Sequence, residues 1–426
     1  MPRVRFSTSP AAAVSSGDIP RELSCGDARA PWNSNGFDER LGSKSKIRRC
    51  QTEKSLLCGS NHAYNAPSLS ARYASRAKEI YEFPTLTTMK LRIGVVGLGN
   101  DWDTRYKPAF RSLADRFEVR AICEPVALRA DKAIHDFSAC GVDGFRALAR
   151  RPDIDAIFVL SRGWYGELPV LAACDAGKSI YCTEGLDEDL GRATSLKRKL
   201  ETAGVSFLAE FPRRYAPATA RLKELIATQL GRPKLLFCHA RLSANQRTKL
   251  NGHAVSPPRS PMSHLIELVD WCRYVVGEDP TTVMGVEHEP SLGFHGDYQM
   301  MSLEFRDPED ADKVTTAQVS CGQYMPADWP EAVTFRPPPA FQVACEHGIA
   351  FVDLPSTIIW FDKAGRHMES LDSERPVGEL MLLQFYRCVT SLLHNPTGLE
   401  DAYRALTIVL AGQESYRRGV RMKIET

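Results

Sequence analysis

Leu91-Arg92-Ile93-Gly94-Val95-Val96-Gly97-Leu98-Gly99 is an apolar run of strand length that ends in two glycines one residue apart. Its Ile and Val residues suit a buried, pleated strand. Gly-x-Gly directly after such a strand opens the dinucleotide-binding fingerprint. The first glycine permits the tight turn, and the second lets a pyrophosphate approach backbone N–H groups at a helix N-terminus. The third glycine of the full pattern is missing. Trp102 stands in its place, within Asn100-Asp101-Trp102-Asp103-Thr104-Arg105. A plain strand-to-helix turn explains the same residues, so the context must decide.

The context downstream is regular. A helix is expected over 108–116, then a strand over 118–123 that ends in Glu124-Pro125. An acid at the end of the second strand is where ribose hydroxyls are accepted, which favours NAD over NADP. Arg120 and Arg129 stand near it and leave NADP open. Helices over 127–137, 146–150, 168–176 and 190–203 then alternate with strands near 142–144 and over 156–160, 179–182 and 205–210. Continuous apolar strands between amphipathic helices imply a parallel sheet covered on both faces, a doubly wound Rossmann unit.

After Phe211 the pattern changes. Helices over 217–228 and 262–276 surround a strand over 234–241. Strands then follow one another at 281–287, 298–305, 315–321, 341–345, 349–354 and 357–361, before closing helices at 378–393 and 399–419. Runs of strands without intervening helices predict a mainly antiparallel sheet. The expected fold is therefore α/β, a Rossmann domain over 89–212 followed by an α+β domain with an open antiparallel sheet over 213–426. Residues 1–88 are rich in Ser, Ala, Arg and Asn without periodicity, as in SNHAYNAPSLSARYASRAK (60–78). They are expected to be a disordered extension or an upstream misassigned start, because Met89 directly precedes the first strand.

Composition narrows the partners. A net charge of +2 over 426 residues gives no reason to invoke nucleic acid or an anionic membrane. No apolar run approaches the roughly 20 residues that span a bilayer. The 12 cysteines are scattered without a Cys-x-x-Cys pair, so neither a zinc site nor a disulfide framework is indicated. Reduced, buried thiols point to the cytoplasm.

Several stretches together resemble the glucose–fructose oxidoreductase/inositol dehydrogenase (Gfo/Idh/MocA) family. They are IGVVGLG (93–99), AICEP (121–125), IDAIFVL (154–160), LAACDAGKSIYC (171–182), AEFPRRYAPA (209–218) and the C-terminal GLEDAYRALTIVLAGQESYRRGVRMKI (398–424). The resemblance covers nearly all of 89–426. It implies an NAD(P)-dependent oxidoreductase whose second domain holds a sugar, polyol or related substrate against the nicotinamide and often mediates homo-oligomers. On this reading Gly97, Leu98, Gly99, Glu124 and Ser161 hold the cofactor.

The departures from the family matter as much. Its Glu-Lys-Pro reads Thr183-Glu184-Gly185 here, so Glu184 replaces the Lys that acts on the substrate hydroxyl. A Lys donates beside a developing alkoxide, whereas an ionised Glu only accepts. Glu184 is either a general base or a position that no longer does chemistry. Gly166 falls where the family places a His, after Ser161-Arg162-Gly163-Trp164-Tyr165. Trp164 and Tyr165 are then substrate-lining aromatics or a packed turn. His264 and Glu267 share one face of the helix over 262–276. His264, near the helix start, is the candidate base, and Glu267 a substrate contact. Arg213 is an anion or substrate clamp, or a hinge residue paired with an acid. Two rival readings stay open: a glycosidase that uses tightly held NAD, and a non-catalytic dinucleotide-binding sensor.

Overall fold

A computed structural model describes residues 89–425 except 163–164, 184, 244–248, 251–252, 255–259, 289–297, 308–309, 311, 326–330, 332–339 and 392–396. The expectations for residues 1–88, Trp164 and Glu184 lie outside the described residues.

The first sheet is built from β1 (Leu91–Val96), β2 (Phe117–Cys123), β3 (Cys140–Gly141), β4 (Ala156–Val159), β5 (Ser179–Cys182) and β6 (Phe207–Ala209). Their order is β3-β2-β1-β4-β5-β6 and every pairing is parallel. This is the doubly wound arrangement, in which the order reverses between β1 and β4 and leaves a ligand crevice at the strands' carboxyl ends.

On one face lie α1 (Lys107–Ser112), entered through a π-helical turn at Trp102–Tyr106, and α2 (Ala127–Phe137). The opposite face carries α3 (Phe145–Ala149), α4 (Leu168–Asp175) and α5 (Leu190–Ala203). The limits of α5 match the sequence reading because both stop signals are local. Asp189 caps its start by accepting from the Arg192 N–H at 2.9 Å, and Gly204 ends it at φ 62°.

After β6 the chain runs through α6 (Pro217–Leu225) into a second sheet. Its order is β16-β15-β14-β13-β7-β12-β11-β10-β17, and only the β7–β12 pairing is parallel. The strands are β7 (Pro233–Ser243), β10 (Thr282–His288), β11 (Tyr298–Arg306), β12 (Val314–Met325), β13 (Phe341–Cys345), β14 (Ile349–Asp353), β15 (Thr357–Asp362), β16 (Gly365–Ser370) and β17 (Met422–Lys423). A small hairpin, β8 (Lys249–Leu250) and β9 (His253–Ala254), stands apart from it. The expected mainly antiparallel sheet is thus found. Periodicity missed β16, whose residues Gly-Arg-His-Met-Glu-Ser are mainly polar and, Met368 included, mostly exposed along an edge. Such a strand has no buried face to print an alternation.

One side of the second sheet is covered by α7 (Pro261–Val276) and α9 (Thr397–Arg418). Two helices beyond residue 212 also return to the first sheet. Met381, Leu382 and Phe385 of α8 (Val377–Thr390) join the core of Ile93, Val95, Phe158 and Tyr181. Leu399, Ala402 and Leu406 of α9 pack with Cys182, Ala193 and Leu196, while its Ala405, Ile408 and Val409 face the second sheet. One helix therefore fills both cores and fixes the crevice between them.

Candidate active site

The Gly97-Leu98-Gly99 turn lies at the carboxyl end of β1, at the reversal point. Gly97 and Gly99 adopt φ 64° and 63°, where side chains are disfavoured. A Cβ on Gly99 would sit 2.3 Å from the Leu160 carbonyl oxygen, and one on Gly97 would sit 2.9 Å from the Ser161 Cβ. The end of β4, with the buried Ser161, is pressed against the turn, so these expected cofactor residues are brought together.

Glu124 completes the arrangement. Its Oε2 accepts the Leu98 N–H at 2.7 Å and its Oε1 accepts the Val126 N–H at 3.1 Å. Arg129 reaches back from α2 to donate to the Gly99 carbonyl. The N–H groups of Gly99, Asn100 and Asp101 donate to no protein group among the described residues. They open at the start of a helical turn, where orphan donors and the helix dipole favour an anion. A dinucleotide fits this cradle: glycine clearance, free amide donors and a carboxylate beside the ribose position are all present.

Trp102 explains the missing third glycine. It is buried against Phe110 and Phe137, with ring centroids at 6.3 Å and 5.7 Å. The π-helical turn carries this large side chain into the core.

Farther along the crevice, the Tyr165 ring packs edge-on against Phe145 at 5.3 Å. Burial, then the Cys123 thiol bonded to it, pushes the Tyr165 phenol up to about 12. Arg162, also buried, donates to the Gly185 carbonyl at 2.9 Å and holds the loop after β5. That loop meets the start of α7. Ser260 caps the helix by accepting from the Ser263 N–H at 3.0 Å, and Glu188 accepts from the hydroxyls of both serines.

Thr183, Gly185, Glu210, Phe211, Ser263 and Glu267 line the inner end of the cleft, a cavity of about 20 Å³. Such a space holds about one water. Glu267 faces it, whereas His264, on the same helix, is not among the lining residues. Glu267 pairs with Arg213, so two of the sequence candidates are in contact.

Glu210, which the sequence reading passed over, is fully buried at the end of β6. It accepts from the Arg105 guanidinium and the Tyr106 hydroxyl. Burial, reinforced by the Glu210 charge, holds the Tyr106 phenol protonated, well above its ordinary value. The signal for Glu210 was its position, an acid at the carboxyl end of a strand in an open α/β sheet.

Below these pairs an ionic chain ties the elements together. Arg214 binds Asp270 of α7 and Asp401 of α9, and Arg273 binds Asp279 and Asp401. Burial pushes Asp270 up to about 6, against the pull of Arg214 and Arg273. Removing one partner of such a network strands a buried charge and costs about 3–5 kcal/mol. Among the described residues, no group of three His, Cys, Asp or Glu is placed to hold a metal, and no helix is long and apolar enough to cross a membrane.

Residues 91–211 match the model of the Gfo/Idh/MocA family, described as an oxidoreductase family with an NAD-binding Rossmann fold. That match covers the first sheet and its helices, so this part of the chain is similar to the NAD-binding domain of the family. Two inositol 2-dehydrogenases are among its relatives. That of Paracoccus denitrificans is 30% identical over 45% of this chain and 56% of its own length. That of Mycolicibacterium smegmatis is 26% identical over 48% and 58%. The chain thus spans little more than half the length of the curated relatives it matches. Solved structures cover more of it. A levoglucosan dehydrogenase in complex with NADH and levoglucosan superposes with TM-score 0.64 at 15% identity, over 79% of this chain and 100% of that one. An aldose-aldose oxidoreductase from Caulobacter crescentus, complexed with glycerol, gives the same TM-score, identity and coverage. At such identities the likeness establishes the fold.

Proposed function

We propose that this chain is an NAD(P)-dependent oxidoreductase of the Gfo/Idh/MocA type, acting on a sugar, polyol or related small hydroxyl or carbonyl substrate. The observation that carries the reading is the cradle of Gly97, Leu98 and Gly99 tied to Glu124, with Ser161 against it, at the reversal point of the sheet. NAD is the favoured cofactor. Glu124 keeps acceptor sites for ribose hydroxyls and would repel a 2′-phosphate, while Arg129 is engaged with the Gly99 carbonyl.

The nicotinamide supplies hydride chemistry when bound. The protein positions the substrate and handles the hydroxyl proton. Glu184 and His264 are the sequence candidates for that proton. The cavity favours a third, Glu267, which lines the cleft and whose Arg213 partner stabilises it as an acceptor. Glu267 is the favoured substrate contact, and Arg213, which does not line this cavity, pairs with it from behind. Tyr165 serves packing better, with its ring on Phe145, and Trp164 stays a candidate from the sequence alone.

A homo-oligomer through the second sheet is supported by its uncovered face. Leu235 and Phe237 of β7 and Met284 and Val286 of β10 are exposed there, opposite the side covered by α7 and α9. The cytoplasm is the proposed compartment, since Cys123, Cys174, Cys182, Cys238, Cys272 and Cys321 are buried thiols that act as small hydrophobes.

The test is to purify the full chain, identify any retained nucleotide, titrate NADH, and follow nicotinamide absorbance with inositol, other polyols and anhydrosugars. Turnover of one class supports the reading. Dinucleotide binding without turnover of any substrate would favour a sensor. No binding, with Gly99→Val indistinguishable from the parent, would remove the basis of the proposal.

A further inference from the structure

A second, larger cavity of about 550 Å³ opens on the other side of the Glu210 and Glu267 ion pairs. It lies between the Trp102–Tyr106 turn, the Pro212–Ala216 junction, the Leu354–Pro355 turn and the start of α8. Arg105 and Arg213 line it, while their partners Glu210 and Glu267 line the small cavity at the inner end of the cleft. Two ion pairs thus form a shared wall, with guanidiniums facing one space and carboxylates the other.

Arg105 has donors to spare. Its Nη1 serves Glu210 and Asp101, whereas Nε and Nη2 donate to no group among the described residues. A guanidinium presents its five N–H donors in a planar fork that matches carboxylate and phosphate oxygens. The volume lies within the range of small-molecule sites. Among the described residues the one carboxylate on the wall is Glu379, and the remaining lining is largely Pro, Ala, Val and Leu. That combination, an apolar bowl with two cations set into one side, selects a small organic acid or phosphate ester over a neutral polyol.

We propose that this cavity binds a small carboxylate- or phosphate-bearing molecule through Arg105 and Arg213, and that its occupancy is coupled through them to Glu210 and Glu267 in the cleft. An anion that takes donors from Arg105 or Arg213 competes with those carboxylates and changes the charge they present. The coupling is reciprocal, so cleft occupancy alters anion affinity by the same factor. The inference does not depend on the proposed oxidoreductase activity.

The test is calorimetric titration of the full chain, free of nucleotide, with inorganic phosphate and with tricarballylate at constant ionic strength, and glycerol as the neutral control. One saturable site is expected for at least one anion and none for glycerol; which anion binds tells phosphate from carboxylate recognition. Arg105→Gln is a poor probe, because it strands the buried Glu210. Thr104 is exposed on the rim and outside both ion pairs. Thr104→Glu is expected to weaken binding about tenfold, and Glu379→Gln to tighten it about threefold. The proposal is overturned if neither anion binds, if Thr104→Glu leaves the affinity unchanged, or if NADH displaces the anion one for one, which would assign the cations to the dinucleotide.

Discussion

Glu124 accepts the Leu98 N–H at 2.7 Å and the Val126 N–H at 3.1 Å, so one carboxylate joins the end of β2 to the glycine turn and to the start of α2. Glu124→Ala removes both bonds and the charge that would meet the ribose. Hydrogen bonds to charged groups contribute about 1.5–3 kcal/mol, so NADH affinity is expected to fall at least about tenfold. NADPH affinity should fall less, because the repulsion of a 2′-phosphate is relieved with Arg129 close by. Parallel fluorescence titrations of the two cofactors measure the ratio. An unchanged ratio would show that Glu124 takes no part in cofactor choice.

Trp102 marks the limit of the sequence at this turn. In the fingerprint it reads as a defect, yet it is buried between Phe110 and Phe137. Trp102→Gly, which restores the pattern, is expected to destabilise the chain by about 3–5 kcal/mol, as large-to-small changes in a core do. Chemical denaturation gives the value. A gain of stability would mean that the π-helical turn is strained rather than packed.

What was legible from sequence is what local signals encode. The limits of β1, β5 and α5 follow from apolar runs and from caps such as Asp189 and Gly204. The pairing of β7 with the distant β12, the edge strand β16 and the return of α8 to the first sheet depend on contacts far apart in the chain. The candidate site divides the same way. The glycine turn and Glu124 are contiguous motifs placed by their own strands. Arg105 and Glu210 are 105 residues apart and meet only in the fold. His264 and Glu267 stand on one helix, and only the packing of α7 on the cleft distinguishes them.

Arg92 and Asp155 tie the amino-terminal ends of the parallel strands β1 and β4, away from the crevice, through bonds of 2.6 and 3.0 Å. The side-chain hydrogen bond from Arg92 holds the Asp155 carboxyl below its ordinary value, against the effect of burial. A folded pKa below the unfolded one, roughly 3.9, stabilises the chain above that pH; the contribution is lost as pH falls through the folded value. Because Arg92 is 38% exposed, the pair is screened and contributes about 1 kcal/mol or less. Asp155→Asn should therefore be less stable than the parent at neutral pH and converge with it as acidification protonates Asp155, below the ordinary carboxylate range. Thermal midpoints of both chains across that range test the convergence.

Phe237 projects from the uncovered side of β7, next to Leu235 and on the same face as Met284 and Val286. If that face is covered by a second copy, Phe237→Asp places a carboxylate in an apolar contact and should shift the chain toward monomer. The folded monomer should keep its stability, because the side chain lies outside the core. Light scattering across a range of concentrations reads the shift. A parent chain that is monomeric throughout would rule out this interface.

Glu267 and His264 make opposite predictions for catalysis. Glu267 lines the cleft cavity and pairs with Arg213; His264 shares the helix but not that lining. A positioned general base contributes about 10²–10⁴-fold, so Glu267→Gln should lower kcat by that order while leaving NADH affinity near the parental value. It should also remove the acid limb of the pH–rate profile, which a purely structural carboxylate would leave in place. Arg213→Lys keeps a cation beside Glu267 and should retain most of that limb, separating lost charge from lost shape. His264→Ala should leave kcat within a few-fold of the parent. If His264→Ala abolishes turnover while Glu267→Gln does not, the proton belongs to the helix's first turn, and the Arg213–Glu267 pair is a structural clasp between the two sheets.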